Sequence, residues 1–434
     1  MDLENVERKE YAVGLLIALA SIFILLKNDV KKLFYLFIII VIAIPNNYNI
    51  KTSVGIIIFN VDFIYFPLIL GFLMVLISIF LGKVRIPILK KDIGFFMFFL
   101  LIILYSIVGF YNKNHLFFED LKIYITLFMV FFLSRMLLSK GEDLLNILKT
   151  VCIGTLGYSL VVIYIHLFKS DQLYWIYGEM LGNWWGNRIT FGNTSLLVIS
   201  LILSMYFWVE RKILYSIVIV TNIGAIYLSQ NRTVIMMSLL ILVIGYIIYM
   251  LTNKSLKVFS KKIVFSILLF FLLVSCTGIF IKNDIDFQDN IIIQRFLETD
   301  NLSVRKVSNE KAFDSLMDNP FGYGIGKEVL LYNIDTSIAN TGLFIDNVFA
   351  TLGVKFGILG IMLFSWILVM TQFYIYKIYR LSNEKLCLLL FIIHPAFLIV
   401  TAYMNAQIIY SLPIMVFYVT FSSLIIIKYK TYKK

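Results

Sequence analysis

The chain has 434 residues, of which 60% are hydrophobic and 15% charged, with a formal net charge of +12. Soluble globular domains are about 45–50% apolar and about 25% charged, so one water-soluble core could not bury this many apolar side chains. The Lys and Arg residues lie mostly in short loops rather than in a basic domain, which argues against nucleic acid as a partner. A mean hydropathy of +0.90 indicates that the solvent is the lipid bilayer.

Apolar runs of membrane-spanning length recur along the chain and predict an all-α bundle of about 12 to 14 transmembrane helices. One of these runs is short for a span, and residues 53–62 are also compatible with a re-entrant segment. The predicted spans are 11–26, 33–45, 62–82, 93–110, 121–138, 151–168, 192–209, 214–229, 233–250, 263–281, 347–370, 386–404 and 407–427.

Positive charge concentrates in alternate short loops, which is typical of the cytoplasmic side of a membrane protein. The loops 27–32, 83–91, 253–262 and 377–385 and the tail KYKTYKK carry most of it. We therefore predict a cytoplasmic C-terminus, and the side of the N-terminus depends on whether the number of spans is odd.

One connection is much longer than the others and divides the chain into three predicted regions. Residues 1–281 form the N-terminal part of the transmembrane bundle, and 347–434 form the C-terminal helices with a basic cytoplasmic tail. Residues 282–346 form a large extracytoplasmic loop with short helices. Connections of this length in compact proteins are usually functional or disordered.

The large loop contains a helical pattern in VRKVSNEKAFDSLMD. Ser303 is predicted to cap this helix, with Phe313, Leu316 and Met317 on one face. The segment NPFGYG then ends it. Gly324 lies in NPFGYGIG, where glycines at alternate positions permit a close approach of backbone to a ligand or form a tight turn.

Arg232 lies at the outer mouth of a predicted span, in LSQNRTVIMM. A guanidinium there is partly desolvated and needs a partner. It is either an anchor that reaches lipid phosphates or a ligand of a multiply charged anion such as a diphosphate, which Arg binds with two parallel hydrogen bonds.

Three further arginines are predicted on the same outer side. Arg188 follows the outer segment that contains Trp184 and Trp185, and Arg295 and Arg305 lie in the large loop. Together with Arg232 they would suit a lipid-linked diphosphate if they converge. The tryptophans either stack on sugar rings or anchor the chain at the membrane interface.

Asp346 and Asn347 stand where the chain returns to the membrane, in IDNVFATLGVKFGILG. Asp346 is a candidate helix cap or a base that takes the proton of a sugar hydroxyl. Lys355 is an intramembrane lysine and hence a functional candidate. Helical periodicity places it opposite Asp346, so the two need not share a task. No Cys/His spacing indicates a metal site, and we predict no metal or cofactor.

The order of these features resembles the O-antigen polymerase and ligase superfamily of bacterial surface-polysaccharide assembly. The resemblance covers roughly residues 185–365 and rests on NRITFGN, SQNRT, SVRKVSNEKAFDSLMDNPFGYGIG and DNVFATLGVKFGILG. It implies a fold similar to C-type glycosyltransferases, a site facing the periplasm or cell exterior, and a metal-independent glycosyltransferase that uses polyprenyl-diphosphate-linked glycan.

By this resemblance Arg188, Arg232 and Arg305 would hold the leaving diphosphate, and Asp346 would supply the base. Asp346 stands where ligases typically carry a histidine, which favours a polymerase of O-antigen or capsule repeat units. Lys355 stands where an acidic residue is common, which leaves the mechanism open.

Two alternatives remain at this stage. One is an O-antigen ligase that transfers polymer to lipid A core, and the other is a flippase or transporter of the lipid-linked units. A transporter would require charged spans and internal symmetry, whereas these spans are almost free of charge. Expected partners are the lipid-linked oligosaccharide, the bilayer of the cytoplasmic membrane, a chain-length regulator and a separate flippase.

Overall fold

The protein is described here from a computed structural model. The structure describes most of the predicted spans. It does not describe the N-terminal segment or most of the first half of the large loop. The described residues are 12–58, 61–84, 92–170, 173, 189–231, 233–240, 242, 300–332, 339–403 and 407–433.

Helices dominate the described part of the chain. In the N-terminal half they are α1 Ala12–Leu26, α2 Val30–Ala43, α3 Tyr48–Ser53, α4 Phe66–Phe80, α5 Ile93–Tyr111, α6 Phe117–Leu137, α7 Glu142–Phe168, α8 Thr194–Phe207 and α9 Lys212–Ser229. In the C-terminal half they are α10 Asp300–Asp318, α11 Val348–Ser382, α12 Lys385–Leu398, α13 Gln407–Tyr410 and α14 Leu412–Lys433.

Strands are few and short in the described residues. Two antiparallel hairpins are present, β1 Ile57–Ile58 with β2 Val61–Asp62, and β3 Val329–Tyr332 with β4 Ala339–Gly342. The first hairpin occupies the segment 53–62, which the sequence left open as a re-entrant segment. The second belongs to the large loop.

The described residues include seven helices that are long and apolar enough to cross a membrane, and two shorter apolar helices. Helices satisfy every interior backbone hydrogen bond within one segment, which lipid requires. The protein is therefore an all-α polytopic membrane protein, as the hydropathy predicts. The predicted span 263–281 lies outside the described residues.

Helix α14 lies at the centre of the described bundle. It packs against α6 and α11, and its spanning stretch is buried throughout its length. Small hydroxyl residues allow this close packing, since Thr420, Ser422 and Ser423 are fully buried. Small and hydroxyl-bearing side chains favour helix association in membranes because they let backbones approach.

Two buried ion pairs lie near opposite ends of helix α6. Asp120 pairs with Lys355 near its first turn, and Arg135 pairs with Asp92 near its last turn. The two pairs are about 22 Å apart at about 1.5 Å per residue. In each of these two pairs a buried charge is neutralised by a partner of opposite sign.

Basic segments with described residues lie at the Arg135 end of this bundle. Lys31, in the first turn of α2, pairs with Asp143 at the start of α7 at 2.5 Å. Lys428 of the tail pairs with Glu384, between α11 and α12. The described basic segments thus lie at the end opposite the Asp120–Lys355 pair, and the side of the membrane that they face stays a prediction.

Helix α12 contains a proline whose backbone gap is filled from a neighbouring helix. Pro395 has no N–H to donate to Phe391 O, four residues earlier. Gln372 Nε2, on α11, donates to that carbonyl at 2.8 Å. Gln372 Oε1 lies 2.7 Å from His394 Nδ1. These contacts join α12 to α11 at Pro395.

The large loop contains a packed unit rather than an irregular chain. Helix α10 and the β3–β4 hairpin pack against the start of α11 around a small core of Ala312, Val329, Ile345 and Val354. Sequence analysis expected Ser303 to cap α10, but the helix already includes Asp300, so this boundary was wrong. The charged run DNLSVRK is compatible with a further turn of helix before Ser303.

Candidate functional site

Five of the predicted site residues lie in the described part of the chain: Arg305, Gly324, Asp346, Asn347 and Lys355. The other predicted residues fall outside it, so their roles stay predictions. These are Arg188, Arg232, Arg295, Trp184 and Trp185.

Arg305 and Asp346 form an ion pair at the N-terminal end of helix α11. Arg305 Nε lies 2.7 Å from Asp346 Oδ2, and the two side chains are 39% and 46% exposed. Arg305 comes from α10, whereas Asp346 immediately precedes α11. The loop helix therefore brings a guanidinium to the point where the chain returns to the membrane.

The environment of Asp346 makes its carboxyl a better proton acceptor than an ordinary aspartate. Desolvation by the surrounding protein raises the pKa of Asp346 above 3.8, and the Arg305 guanidinium opposes this rise. A base is most effective when its pKa approaches the working pH. Loss of the Arg305 contact would raise this pKa further.

Asn347, and not Asp346, caps helix α11. Its Oδ1 accepts hydrogen bonds from the backbone N–H groups of Phe349 at 2.9 Å and Ala350 at 3.4 Å. The helix thereby satisfies two of its first N–H groups. Asp346 is consequently left to pair with Arg305, and a substrate-binding role for Asn347 stays a prediction.

Helix α11 is broken at Gly357, whose backbone has φ 64° and ψ −160°. A break leaves carbonyls and N–H groups of the neighbouring turns without intrahelical partners. Residues 320–326 supply the missing hydrogen-bond partners. Tyr323 N donates to Val354 O and Gly324 N to Lys355 O, both at 2.9 Å, while Ile358 N donates to Pro320 O at 3.0 Å. We call residues 320–326 the strap.

The other side of the strap is bonded to helices α5 and α6. Ile325 N donates to Tyr105 O at 3.1 Å, and the Tyr105 hydroxyl donates to Phe321 O. The Asn114 side chain donates to Tyr323 O and Ile325 O. The strap therefore joins three helices, and it follows α10 directly.

The alternate glycines of the strap are required by backbone packing. Gly322, Gly324 and Gly326 all have positive φ, at 81°, 91° and 79°. A Cβ on Gly324 would lie 2.4 Å from Gly109 N, and one on Gly326 would lie 2.3 Å from Phe117 Cα. The close approach that the glycine spacing predicts is thus made to the protein's own helices, and contact of Gly324 with glycan stays a prediction.

Lys355 lies beneath the strap and is fully buried. Its Nζ is 2.6 Å from Asp120 Oδ2, which also accepts from Gly326 N at 2.8 Å. The Tyr410 ring centroid lies 5.0 Å from the same Nζ, and the Tyr410 and Tyr124 hydroxyls are 2.9 Å apart. Lys355 thus has Asp120 as its partner, and its independence from Asp346 in the reaction stays a prediction.

Sequence analysis missed Asp120 as a member of this arrangement. The available signal was an acidic residue beside a predicted span, in FFEDLKIYITLF. An intramembrane ionisable residue needs a partner, and two such residues of opposite sign, Asp120 and Lys355, could have been paired on that ground. Within the described residues no group of three or more His, Cys, Asp or Glu side chains could hold a metal ion.

The fold and the site define a class: a multi-pass helical membrane protein with an arginine–carboxylate pair at the mouth of a broken helix. Comparison with family models gives a match to the family described as O-antigen ligase over residues 217–365. The match contains Arg232, Arg305, Asp346 and the strap. It supports a relation of this part of the chain to the O-antigen polymerase and ligase superfamily, whose members are glycosyltransferase-like enzymes. Neither the curated proteins nor the solved structures give a match to the chain.

Proposed function

We propose that the protein is a polymerase that joins polyprenyl-diphosphate-linked oligosaccharide repeat units, of O-antigen or capsule, at the outer face of the bacterial cytoplasmic membrane. The observation that carries this proposal is the 2.7 Å pair of Arg305 with Asp346 within the residues that match the family. One side chain can bind an anion and the other can accept a proton, and glycosyl transfer from a lipid diphosphate needs both.

In the proposed reaction a hydroxyl at the non-reducing end of one unit attacks the anomeric carbon of another. The new glycosidic C–O bond forms as the bond between the anomeric carbon and the diphosphate breaks. Asp346 takes the hydroxyl proton, and polyprenyl diphosphate leaves with the bonding electrons. Arg305 stabilises the charge that develops on the departing diphosphate.

Arg305 and Asp346 neutralise each other in the free protein, and this has a mechanistic consequence. A diphosphate carries more negative charge than one carboxylate and binds a guanidinium through paired hydrogen bonds. The substrate therefore competes with Asp346 for Arg305. Binding of the donor would free the carboxylate to act as a base at the moment it is needed.

The remaining predicted residues complete the proposed site. Arg188, Arg232 and Arg295 would add positive charge around the diphosphate, with Arg232 as the principal ligand. Trp184 and Trp185 would stack on sugars. For Lys355, its complete burial against Asp120 supports a positioning role beneath the strap more than direct contact with the substrate.

The choice between polymerase and ligase rests on Asp346. The matching family is described as O-antigen ligase, whereas ligases typically carry a histidine at the position that Asp346 occupies by resemblance. A carboxylate with a raised pKa can perform the same proton transfer. We therefore favour polymerase activity and keep ligase activity as the alternative.

Incubation of the purified protein in nanodiscs with a synthetic lipid-linked repeat unit tests this proposal. A ladder of products that grows by one repeat unit supports a polymerase. Transfer only when lipid A core is added would identify a ligase, and movement across liposomes without a new bond would identify a flippase. Either of the last two results overturns the proposal.

The Arg305–Asp346 pair should be required for polymer formation. We expect Arg305→Ala and Asp346→Asn each to lower the polymerisation rate by about 10²-fold or more, the range for loss of a catalytic proton acceptor or charge-stabilising group. The measurement is product length and amount in the nanodisc assay. Lys306→Ala is the matched control, because Lys306 is the next residue of α10 and its side chain is 77% exposed. Full activity in either of the first two variants would contradict the assignment.

Arg232 should be needed for long chains but not for membrane insertion. We expect Arg232→Ala to yield normal amounts of membrane protein with no long polymer, because the diphosphate loses its principal ligand. Gels of surface glycan and immunoblots of membranes measure the two properties. Arg211→Ala, at the opposite end of helix α9, is the control and should leave chain length unchanged. Normal chain lengths in Arg232→Ala would refute this role.

A further inference from the structure

Helix α10 and the strap expose three large apolar side chains at intervals of four residues. Phe313, Met317 and Phe321 are 54%, 63% and 74% exposed. The first two are one turn apart on α10, and Phe321 lies three residues beyond the end of this helix, in the strap. Single exposed apolar residues are common on protein surfaces, but a contiguous stripe indicates a contact partner.

The hydrogen bonds of the strap fix the depth of Phe321 relative to the bundle. Phe321 O accepts from the hydroxyl of Tyr105. Tyr105 lies six residues before Tyr111, the last residue of α5, which is about 9 Å at about 1.5 Å per residue. The neighbours Leu104 and Ile107 on this spanning helix are 50% and 64% exposed, as expected for side chains that contact acyl chains. The exposed Phe321 is therefore at the level of the hydrocarbon.

Charge changes along the same face of α10. Lys306 and Glu310 are exposed by 77% and 60%, and each lies seven residues before a member of the stripe, Phe313 or Met317. Residues seven apart on a helix are on nearly the same face. The face is thus charged in the first half of α10 and apolar in the second half.

Exposed carboxylates also occur in the second half of α10, but in a different direction. Asp314 and Asp318 lie about 60° and about 100° around the helix from Met317, at about 100° per residue. They form an edge that separates the stripe from the aqueous side. This arrangement is typical of a helix that lies in the membrane interface with its apolar face buried.

We propose that the C-terminal half of α10 and the strap are immersed in the outer leaflet of the bilayer, with Phe313, Met317 and Phe321 among the lipid acyl chains. The large loop is then partly a membrane-embedded element and not wholly extracytoplasmic. Arg305 lies two turns before Phe313, about 12 Å along the helix. With the second half of α10 immersed in this way, the Arg305 guanidinium lies at the level of the lipid head groups.

The test uses the unaltered protein in nanodiscs whose lipids carry a photoactivatable diazirine near the end of an acyl chain. After illumination, trypsin cuts after Lys306, Lys311 and Lys327, and mass spectrometry locates the adducts. We expect lipid adducts on the peptide 312–327, which carries the stripe. The adjacent peptide 307–311 should carry none and should react with a water-soluble diazirine instead.

Adducts of α5 at Leu104 or Ile107 confirm that the acyl-chain reagent has worked in the same sample. Lipid adducts on those residues with none on 312–327 would overturn the proposal. So would strong labelling of Met317 or Phe321 by the water-soluble reagent. As a second measurement, spin labels at 313, 317 and 321 should collide mainly with oxygen, and labels at 306 and 310 mainly with a nickel chelate.

Discussion

Replacing Lys355 by Met should destabilise the folded protein by about 3–5 kcal/mol, the usual effect of leaving one member of a buried ion pair without its partner. Asp120 would then be a fully buried carboxylate that retains only the 2.8 Å hydrogen bond from Gly326 N. The free energy of unfolding in detergent, and the fraction of monodisperse protein after gel filtration, measure this effect.

The double variant Asp120→Leu/Lys355→Met distinguishes the effect of an unpaired charge on stability from the effect of changed packing. It removes both charges and leaves Gly326 N–H without its acceptor, a loss of about 1–3 kcal/mol. We expect it to be more stable than Lys355→Met alone. Equal destabilisation of the single and double variants would show that an unpaired charge is not the cause.

Replacing Gly357 by Ala should have a comparable or larger effect on stability. A Cβ there would lie 2.1 Å from Pro320 O and 2.5 Å from the carbonyl carbon of Phe321, and the backbone has a positive φ of 64°. The strap cannot move away without breaking its hydrogen bonds to α5 and α11. We expect a loss of more than about 4 kcal/mol, the range of severe overpacking and backbone strain combined.

Gly82→Ala is the matched control for the backbone conformation. Gly82 also has a positive φ, 68°, but no atom lies within 4 Å of the position that its Cβ would take. A positive φ alone destabilises a residue with a side chain by about 1–2 kcal/mol. Thermal unfolding of both variants in detergent gives the comparison, and equal shifts would contradict a role for the strap contact.

Most of the fold follows from the sequence because lipid imposes one rule on every span. Apolar runs must form helices, and the described helices follow the predicted spans with shifts of a few residues at many ends. Helices α7 and α11 are exceptions: α7 begins at Glu142 rather than at 151, and α11 continues to Ser382 rather than ending at 370. The charged stretch EDLLNILK was read as a loop, although it has good helix formers and continues the helix beyond the membrane.

The break in α11 could not be predicted from its own residues. Apart from Lys355, GVKFGILG is apolar and compatible with an unbroken span. The partner that stabilises the break is the strap, about 35 residues earlier in the chain, and only the folded structure shows which carbonyls it reaches. Local propensity carries no information on a hydrogen bond between segments so distant in sequence.

The candidate site was predicted in part. Arg305 and Asp346 were both expected to face the same compartment, and the structure adds that they are in contact. The sequence did not distinguish which residue caps helix α11, because Asp346 and Asn347 are both good capping residues. In the structure the extended backbone at Asn347 makes this residue the cap. Convergence of the other arginines on this pair stays a prediction.

The strap also has a consequence for the order in which the protein matures. Asp120 precedes Lys355 by 235 residues, so the ribosome delivers the acid to the membrane long before its base exists. At about 5–20 residues per second, the interval is on the order of ten seconds or more. During this interval the Asp120 carboxylate of the nascent bundle must stay protonated or hydrated. The space between α5 and α6 that the strap later fills is still open. Synthesis of the strap therefore precedes closure of the bundle, and the last third of the polypeptide completes a membrane domain that the first third begins.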